Sequence, residues 1–220
     1  MRAREFTPLP GEEGLGSRPQ GPLRFGDLNR SVLTEVALRV AERDGIAGLT
    51  TRTLARELGL SHTAIYHHVR NKGEVLDLLA EKILSDITLP SEGPWQVRLR
   101  EFAFRARVSM LRVEGISPIL ITRPQGEARI RINTLLSEIV AEARVPADQR
   151  EGARILIANY ILGSVLMEQA LPIPLTSSLG TSEERFCDGL DILIMGLEGS
   201  SAAGDDVPPD VEFGATAPRC

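Results

Sequence analysis

The stretch TTRTLARELGLSHTAIYHHVRNK, residues 50–72, decides the fold. It reads as a short helix, a tight turn and a second short helix. A hydroxyl at Thr50 or Thr51 caps the first helix by accepting the free N–H groups of its opening turn. Leu54, Ala55 and Leu58 then form one apolar face at helical spacing. Gly59 supplies a left-handed residue that ends the helix, and Ser61 can cap the next one. The second helix is expected to bury Ala64 and Ile65 and to turn His62, Thr63, Tyr66, His67 and His68 outward. This is the layout of a helix-turn-helix, whose second helix enters the DNA major groove.

The outward face of that second helix holds no acid and no lysine, the residues that usually keep a helix solvated. It holds a threonine and aromatic donor-acceptor side chains suited to base edges, thymine methyls and phosphates. Arg52, Arg56, Arg70 and Lys72 flank it, against the single acid Glu57. The whole-chain charge of −5 therefore hides a locally basic surface. A surface αα-corner with a polar face would share the helix–Gly–helix pattern, so the pattern alone does not establish DNA binding.

A chain of 220 residues with 42% apolar side chains can bury a sizeable core, and aromatics at 4% make that core mostly aliphatic. The two cysteines, Cys187 and Cys220, have neither metal nor redox spacing, which fits a reduced, cytoplasmic protein. The N-terminal MRAREFTPLPGEEGLG lacks the apolar region of a signal peptide. No apolar run is long enough to span a bilayer, so no membrane association is expected.

Outward from the central stretch, all the periodicity is helical, and the fold class is all-α. Residues 1–26, rich in proline and glycine, are expected to be a disordered tail. A helix from about Asn29 to Asp44, with Val32, Val36, Ala37 and Val40 as its stripe, braces the helix-turn-helix and stops at Gly45. The DNA-reading unit is placed at 27–73. Asn71 caps a following helix with Glu74 as reciprocal partner, and 74–94 is read as a connecting helix and linker. A larger helical domain at 95–199 comprises Trp95–Arg112, a short helix near Ile116–Ile121, a helix opened by Pro124 with Ile130, Ile132, Leu135, Leu136, Ile139 and Val140 inward, a very apolar helix Asp148–Ala170, and a final helix Ser182–Glu198. Pro172 and Pro174 end the penultimate helix, and 200–220 is read as a loose tail.

Catalysis needs positioned acids, bases or nucleophiles. All three histidines lie in the helix-turn-helix, and no phosphate-binding glycine loop follows a strand. His67 and His68 are five and six residues from His62 and miss the spacing of a helical metal pair. No enzyme activity, metal or cofactor is expected. The alternative class is a helical protein-interaction module without DNA affinity.

Leu28-Asn29-Arg30, Asp44-Gly45-Ile46, Gly48-Leu49-Thr50-Thr51-Arg52, Leu54-Ala55, Leu58-Gly59, Ile65-Tyr66, His68-Val69 and Asn71-Lys72 resemble the DNA-binding domain of the TetR (tetracycline repressor) family, without gaps from about Leu28 to Leu84. The resemblance implies a homodimeric repressor that binds a palindromic double-stranded DNA operator and is released by a small effector. It assigns base readout to Arg52, His62, Thr63, Tyr66, His67 and His68, and phosphate contacts to Thr51, Tyr66 and Lys72. The tetracycline repressors have Gln-Pro where this chain has His62-Thr63 and Trp where it has His67, so the operator sequence does not carry over. The resemblance also implies that the last two long helices of each chain form a four-helix dimer bundle. DNA and effector would then each favour a different spacing of the reading heads, with reciprocal effects on affinity.

Trp95, Thr122-Arg123-Pro124 and Leu162-Gly163 extend the resemblance into the second domain. In the tetracycline-binding members polar side chains hold the drug and its magnesium. Here Phe102 stands for an asparagine, Ile119 for the metal-bound histidine, Leu135 for a glutamine, Met167 for a glutamate and Thr88 for another histidine. Only Thr122 is kept. The expected effector is hydrophobic or weakly polar, held in a mainly apolar cavity with Thr122, Asn159 or Glu168 to orient it. Filled core at these positions is the plainer alternative.

Overall fold

The computed structural model describes residues 29–123, 126–170 and 180–202, with Ser201 and Ala202 described by backbone alone. The expectations for both tails, Leu28, Pro124, Pro172, Pro174 and Cys220 lie outside these residues. All regular structure among the described residues is α-helical.

Helix α1 (Arg30–Gly48) starts where the Asn29 side chain accepts the Val32 N–H at 2.9 Å. Gly45 interrupts it as expected, at φ 66° and ψ 179°, but one further helical turn reaches Gly48. The Ile46 N–H then bonds the Glu114 carbonyl at 2.9 Å. A Cβ on Gly45 would sit 3.3 Å from the Glu114 backbone oxygen and Cβ, so both the left-handed backbone and the close approach call for glycine there.

Helix α2 (Thr51–Leu58) carries a full capping box: Thr50 accepts from the Thr53 N–H, and Thr53 accepts from the Thr50 N–H. Gly59, left-handed at φ 66°, closes it. The Ser61 hydroxyl accepts the Ala64 N–H and starts α3 (His62–Ile65), a single turn followed by turn geometry through His68. Leu33, Leu49, Leu54, Ile65 and Leu79 are fully buried between α1, α2, α3 and α4 (Lys72–Ser85). Asn71 caps α4 through the Glu74 N–H. The Glu74 carboxylate takes the Arg70 N–H at 2.8 Å and an ion pair with Arg30, not the Asn71 N–H that a reciprocal box requires.

Helix α4 packs against α1 on one side and α5 (Trp95–Leu111), α6 (Ile116–Thr122) and α7 (Glu127–Glu142) on the other. Helices α8 (Arg150–Ala170) and α9 (Ser182–Ala202) complete the body; α9 runs past the expected end at Glu198. The core is continuous from the head into the body. In α7 the expected inward set is buried except Ile130, which is 59% exposed. Ile132, Leu135, Leu136, Ile139 and Val140 follow a helical repeat, and Ile130 falls on the opposite side of it.

Two arginines of α5 lie on its buried face. Arg98 reaches Glu142 and Glu138, and Arg107 makes two hydrogen bonds to Glu168, at 2.8 and 3.0 Å, with its guanidinium 5.4 Å from the Phe186 ring. Burying such charges is tolerated only because they are paired.

Candidate nucleic-acid interface and effector cavity

The second reading helix is short, and its surface is arranged by α2. The Thr51 hydroxyl lies 3.0 Å from His62 Nε2, which ties the first residue of α2 to the first of α3. The His62 ring meets Tyr66 edge-on with centroids 5.1 Å apart, and Tyr66 is 47% exposed. Arg52, His62, Thr63 and His67 are exposed, while Thr51 and His68 are half-buried. Ala64, Ile65 and Val69 anchor this surface from beneath. Lys72, exposed at the start of α4, places its Nζ 3.4 Å from the Ile46 carbonyl. All eight residues expected to meet DNA thus lie on α2, α3, the turn after it and the first residue of α4. Tyr66, His67 and His68 present themselves from that turn and not from a continuing helix.

The one acid of the stretch is removed from the reading surface. Glu57 pairs with Arg43 at 2.9 Å, and Arg43 also pairs with Asp44. Hydrogen bonding to Asp44 and then Glu57 raises the Arg43 pKa, and the same contact with Arg43 lowers that of Asp44. Among the described residues Arg52, Arg70 and Lys72 enter no ion pair, so their charge faces solvent uncancelled.

The residues expected to hold an effector are not brought together. Phe102, 3% exposed, lines an inner cavity between α4, α5, α7 and α8. Leu135 is buried, and Ile119 is partly buried against the core. Thr88 is exposed beyond the end of α4. Thr122 is exposed, and its hydroxyl is turned back onto the Pro118 carbonyl at 2.8 Å. Asn159, Met167 and Glu168 line a different space, a groove of about 530 Å³ between α8 and α9. Glu168 is paired with Arg107, which takes up part of its acceptor capacity.

The inner cavity is small, about 70 Å³, and its wall includes Leu84, Phe102, Met110, Leu136 and Ile161. Sequence reading missed its two polar members, Arg129 and Asn133. The signal was present: Arg129 lies three residues before Ile132 and seven before Leu136, which puts it on the inward face of α7.

Capped helix, left-handed glycine, second capped helix and an acid-free basic surface, set on an all-helical body, define the class of helix-turn-helix regulators. The model for "Bacterial regulatory proteins, tetR family" matches residues 33–79, and the model for "Tetracyclin repressor-like, C-terminal domain" matches 88–174. Tetracycline repressor protein class D from Escherichia coli is 33% identical, the alignment covering 78% of this chain and 89% of that protein. The structure of TetR from Acinetobacter baumannii AYE, 28% identical, superposes with a TM-score of 0.66 over 78% of this chain and 97% of that one. That of BioQ with its double-stranded DNA operator, 25% identical, gives 0.67 over 78% and 99%. The chain belongs to the tetR family of bacterial regulatory proteins, and this membership selects a DNA-binding regulator over an interaction module. No described helix is long and apolar enough to cross a membrane.

Proposed function

We propose that this protein is a transcriptional repressor that binds an inverted-repeat operator as a homodimer and is released by a small effector lodged in the inner cavity. The observation that carries the reading is the uncancelled basic surface around α3. Arg52, His62, Thr63, Tyr66, His67 and His68 are assigned to base edges, and Thr51, Tyr66 and Lys72 to phosphates. Residues 27–73 form the reading unit, 74–94 the connection and 95–199 the effector and dimer domain. BioQ, a relative in fold, has been captured on its double-stranded operator, which supports the first part.

Dimerisation is assigned to α8 and α9. Ile155, Leu156, Met167, Ile192 and Met195 are large apolar side chains on these two helices, each at least 45% exposed. Burying them against a second copy removes a patch that a monomer rarely keeps. The dimer sets two reading heads roughly 34–36 Å apart, one turn of the duplex. Footprinting on the DNA flanking the protein's own gene tests the proposal. Two protected half-sites related by a dyad are expected; a single isolated half-site, or no protection, refutes it.

Magnesium-tetracycline is not the effector in this reading, although a variant of the Acinetobacter repressor has been solved with minocycline. The chain's three histidines all lie in the reading head, so no imidazole reaches the body to bind the metal. Calorimetric titration with magnesium-tetracycline is expected to show no micromolar binding.

A further inference from the structure

Arg129 and Asn133 stand one turn apart on α7 and are the two polar side chains in the wall of the inner cavity. The Arg129 guanidinium is half-buried, and one of its nitrogens donates to the Leu120 carbonyl near the end of α6. Leu120 needs such a donor, because the residue four further on is Pro124, which has no N–H to close the helix. Capping α6 uses only one of the five guanidinium donors. Among the described residues no carboxylate lies within ion-pair distance of Arg129. The acids on the α4 side are engaged elsewhere: Glu81 accepts the Ala128 N–H at 2.8 Å, and Asp77 pairs with Arg123 at 3.3 Å. Burial, with no compensating charge, pushes the Arg129 pKa below its ordinary value.

Asn133 adds the same polarity. Its side-chain oxygen accepts from Arg154 at 2.9 Å, which leaves its NH₂ as the group to offer. Apart from the second lone pair of the Asn133 oxygen, the free hydrogen-bonding capacity of the two residues is donor. In the inner cavity it meets aliphatic and phenyl surface, while Arg129 also borders an outer groove that Asp77, Glu81 and Glu127 line without pairing with it. A desolvated cation without a counter-charge costs stability, whereas the same cation meeting an anion in low dielectric gains a strong, charge-assisted contact.

We infer that the effector carries an anionic oxygen group, a carboxylate or its equivalent, which takes the Arg129 guanidinium while an apolar ring system fills the space beside Phe102 and Leu136. The inference rests on the assignment of this cavity as the effector site. It replaces the weakly polar ligand expected from the sequence with an amphipathic acid. The cavity must widen to admit such a molecule, and Arg129 is the side chain placed to move, since an incoming anion competes directly with the Leu120 carbonyl.

The test uses 2-naphthoate and 2-naphthamide, which share one shape and differ in charge, titrated calorimetrically into the full-length dimer. The wild type is expected to bind the carboxylate at least about tenfold more tightly than the amide, the scale of one hydrogen bond to a charged group. Arg129→Gln should bring the two to parity; Arg129→Lys should keep the preference. No preference in the wild type, no binding of either compound, or a preference that survives in Arg129→Gln overturns the inference. The wild-type comparison needs no variant, so it decides even where a variant fails to fold. Operator binding, followed separately by anisotropy, distinguishes the two levels. Loss of ligand preference with operator binding intact sinks only the effector chemistry. Absence of operator binding in the wild type sinks the repressor reading and leaves the cavity result standing.

Discussion

Replacing Lys72 by alanine isolates the phosphate term of DNA binding. Lys72 is exposed at the first residue of α4 and enters no ion pair among the described residues; its only neighbour of note is the Ile46 carbonyl at 3.4 Å. Water can take over that carbonyl when the ammonium is removed, so the fold is expected to survive. Each phosphate contact contributes about 0.9 to the slope of log affinity against log salt, and a dimer loses two, so the slope should fall by about 1.8. Between 50 and 200 mM salt, a fourfold change, the variant should therefore lose about twelvefold less affinity than the wild type. Anisotropy of a labelled operator over that range measures this directly. Lys72→Arg should restore the slope. Lys82→Ala is the control, because Lys82 lies in the last turn of α4, far along the helix from Lys72, and is committed to Asp86 and Glu35, at 2.8 and 3.2 Å. Parallel salt lines for wild type and Lys72→Ala would refute the phosphate assignment, whatever the loss of affinity.

Arg52→Ala should act differently, relaxing the preference for one base pair in each half-site by about 1–3 kcal/mol while changing the salt slope less; a panel of single-base operator variants reads this. Thr50→Ala removes the hydroxyl that accepts the Thr53 N–H at 3.0 Å, and denaturant titration should show a loss of about 1 kcal/mol. Ile192→Glu, at a side chain 70% exposed on α9, should give a monomer in analytical ultracentrifugation together with loss of operator binding. A stable dimer in that variant would move the interface elsewhere.

The parts of this protein that were legible in sequence are those whose causes are local. Thr50, Ser61 and Asn71 cap helices, and Gly59 ends one, through contacts reaching three or four residues along the chain. Their identities therefore imply their geometry. Gly45 was legible as a stop, but the extra turn to Gly48 was not, because it is held by the Glu114 carbonyl from a distant segment. The spread of the expected effector residues over separate places has the same cause. Thr122 corresponds to a residue that the tetracycline-binding members keep, and Asn159 and Glu168 are polar side chains suited to orient a ligand; neither ground says which partner a side chain has already found. Glu168 had found Arg107, and Thr122 had found Pro118. Arg129 sits among charged residues in EARIRIN and reads there as surface. Only its phase against Ile132 and Leu136 shows that it faces inward.

That inward arginine also joins the two halves of the molecule by continuous contact. Arg129 holds the end of α6 at the Leu120 carbonyl. The residue that closes α6, Arg123, reaches the Gly73 carbonyl and Asp77, both at 3.3 Å, in the first turns of α4. Gly73 adjoins Lys72, the residue assigned to phosphate. At the other end of α6, Gln169 of α8 bonds the Gly115 N–H at 3.1 Å, and the neighbouring Glu114 carbonyl holds the Ile46 N–H of the reading head. Both ends of one short helix thus touch elements that position Lys72, one through Gly73 and the other through Ile46. An anion that draws Arg129 away from Leu120 would loosen the first of these ties while leaving the second in place. In the proposed dimer, a shift of the reading head about its Ile46–Glu114 contact would change the spacing of the two heads. DNA, which fixes that spacing, must in turn weaken the anion's hold on Arg129 by the same factor.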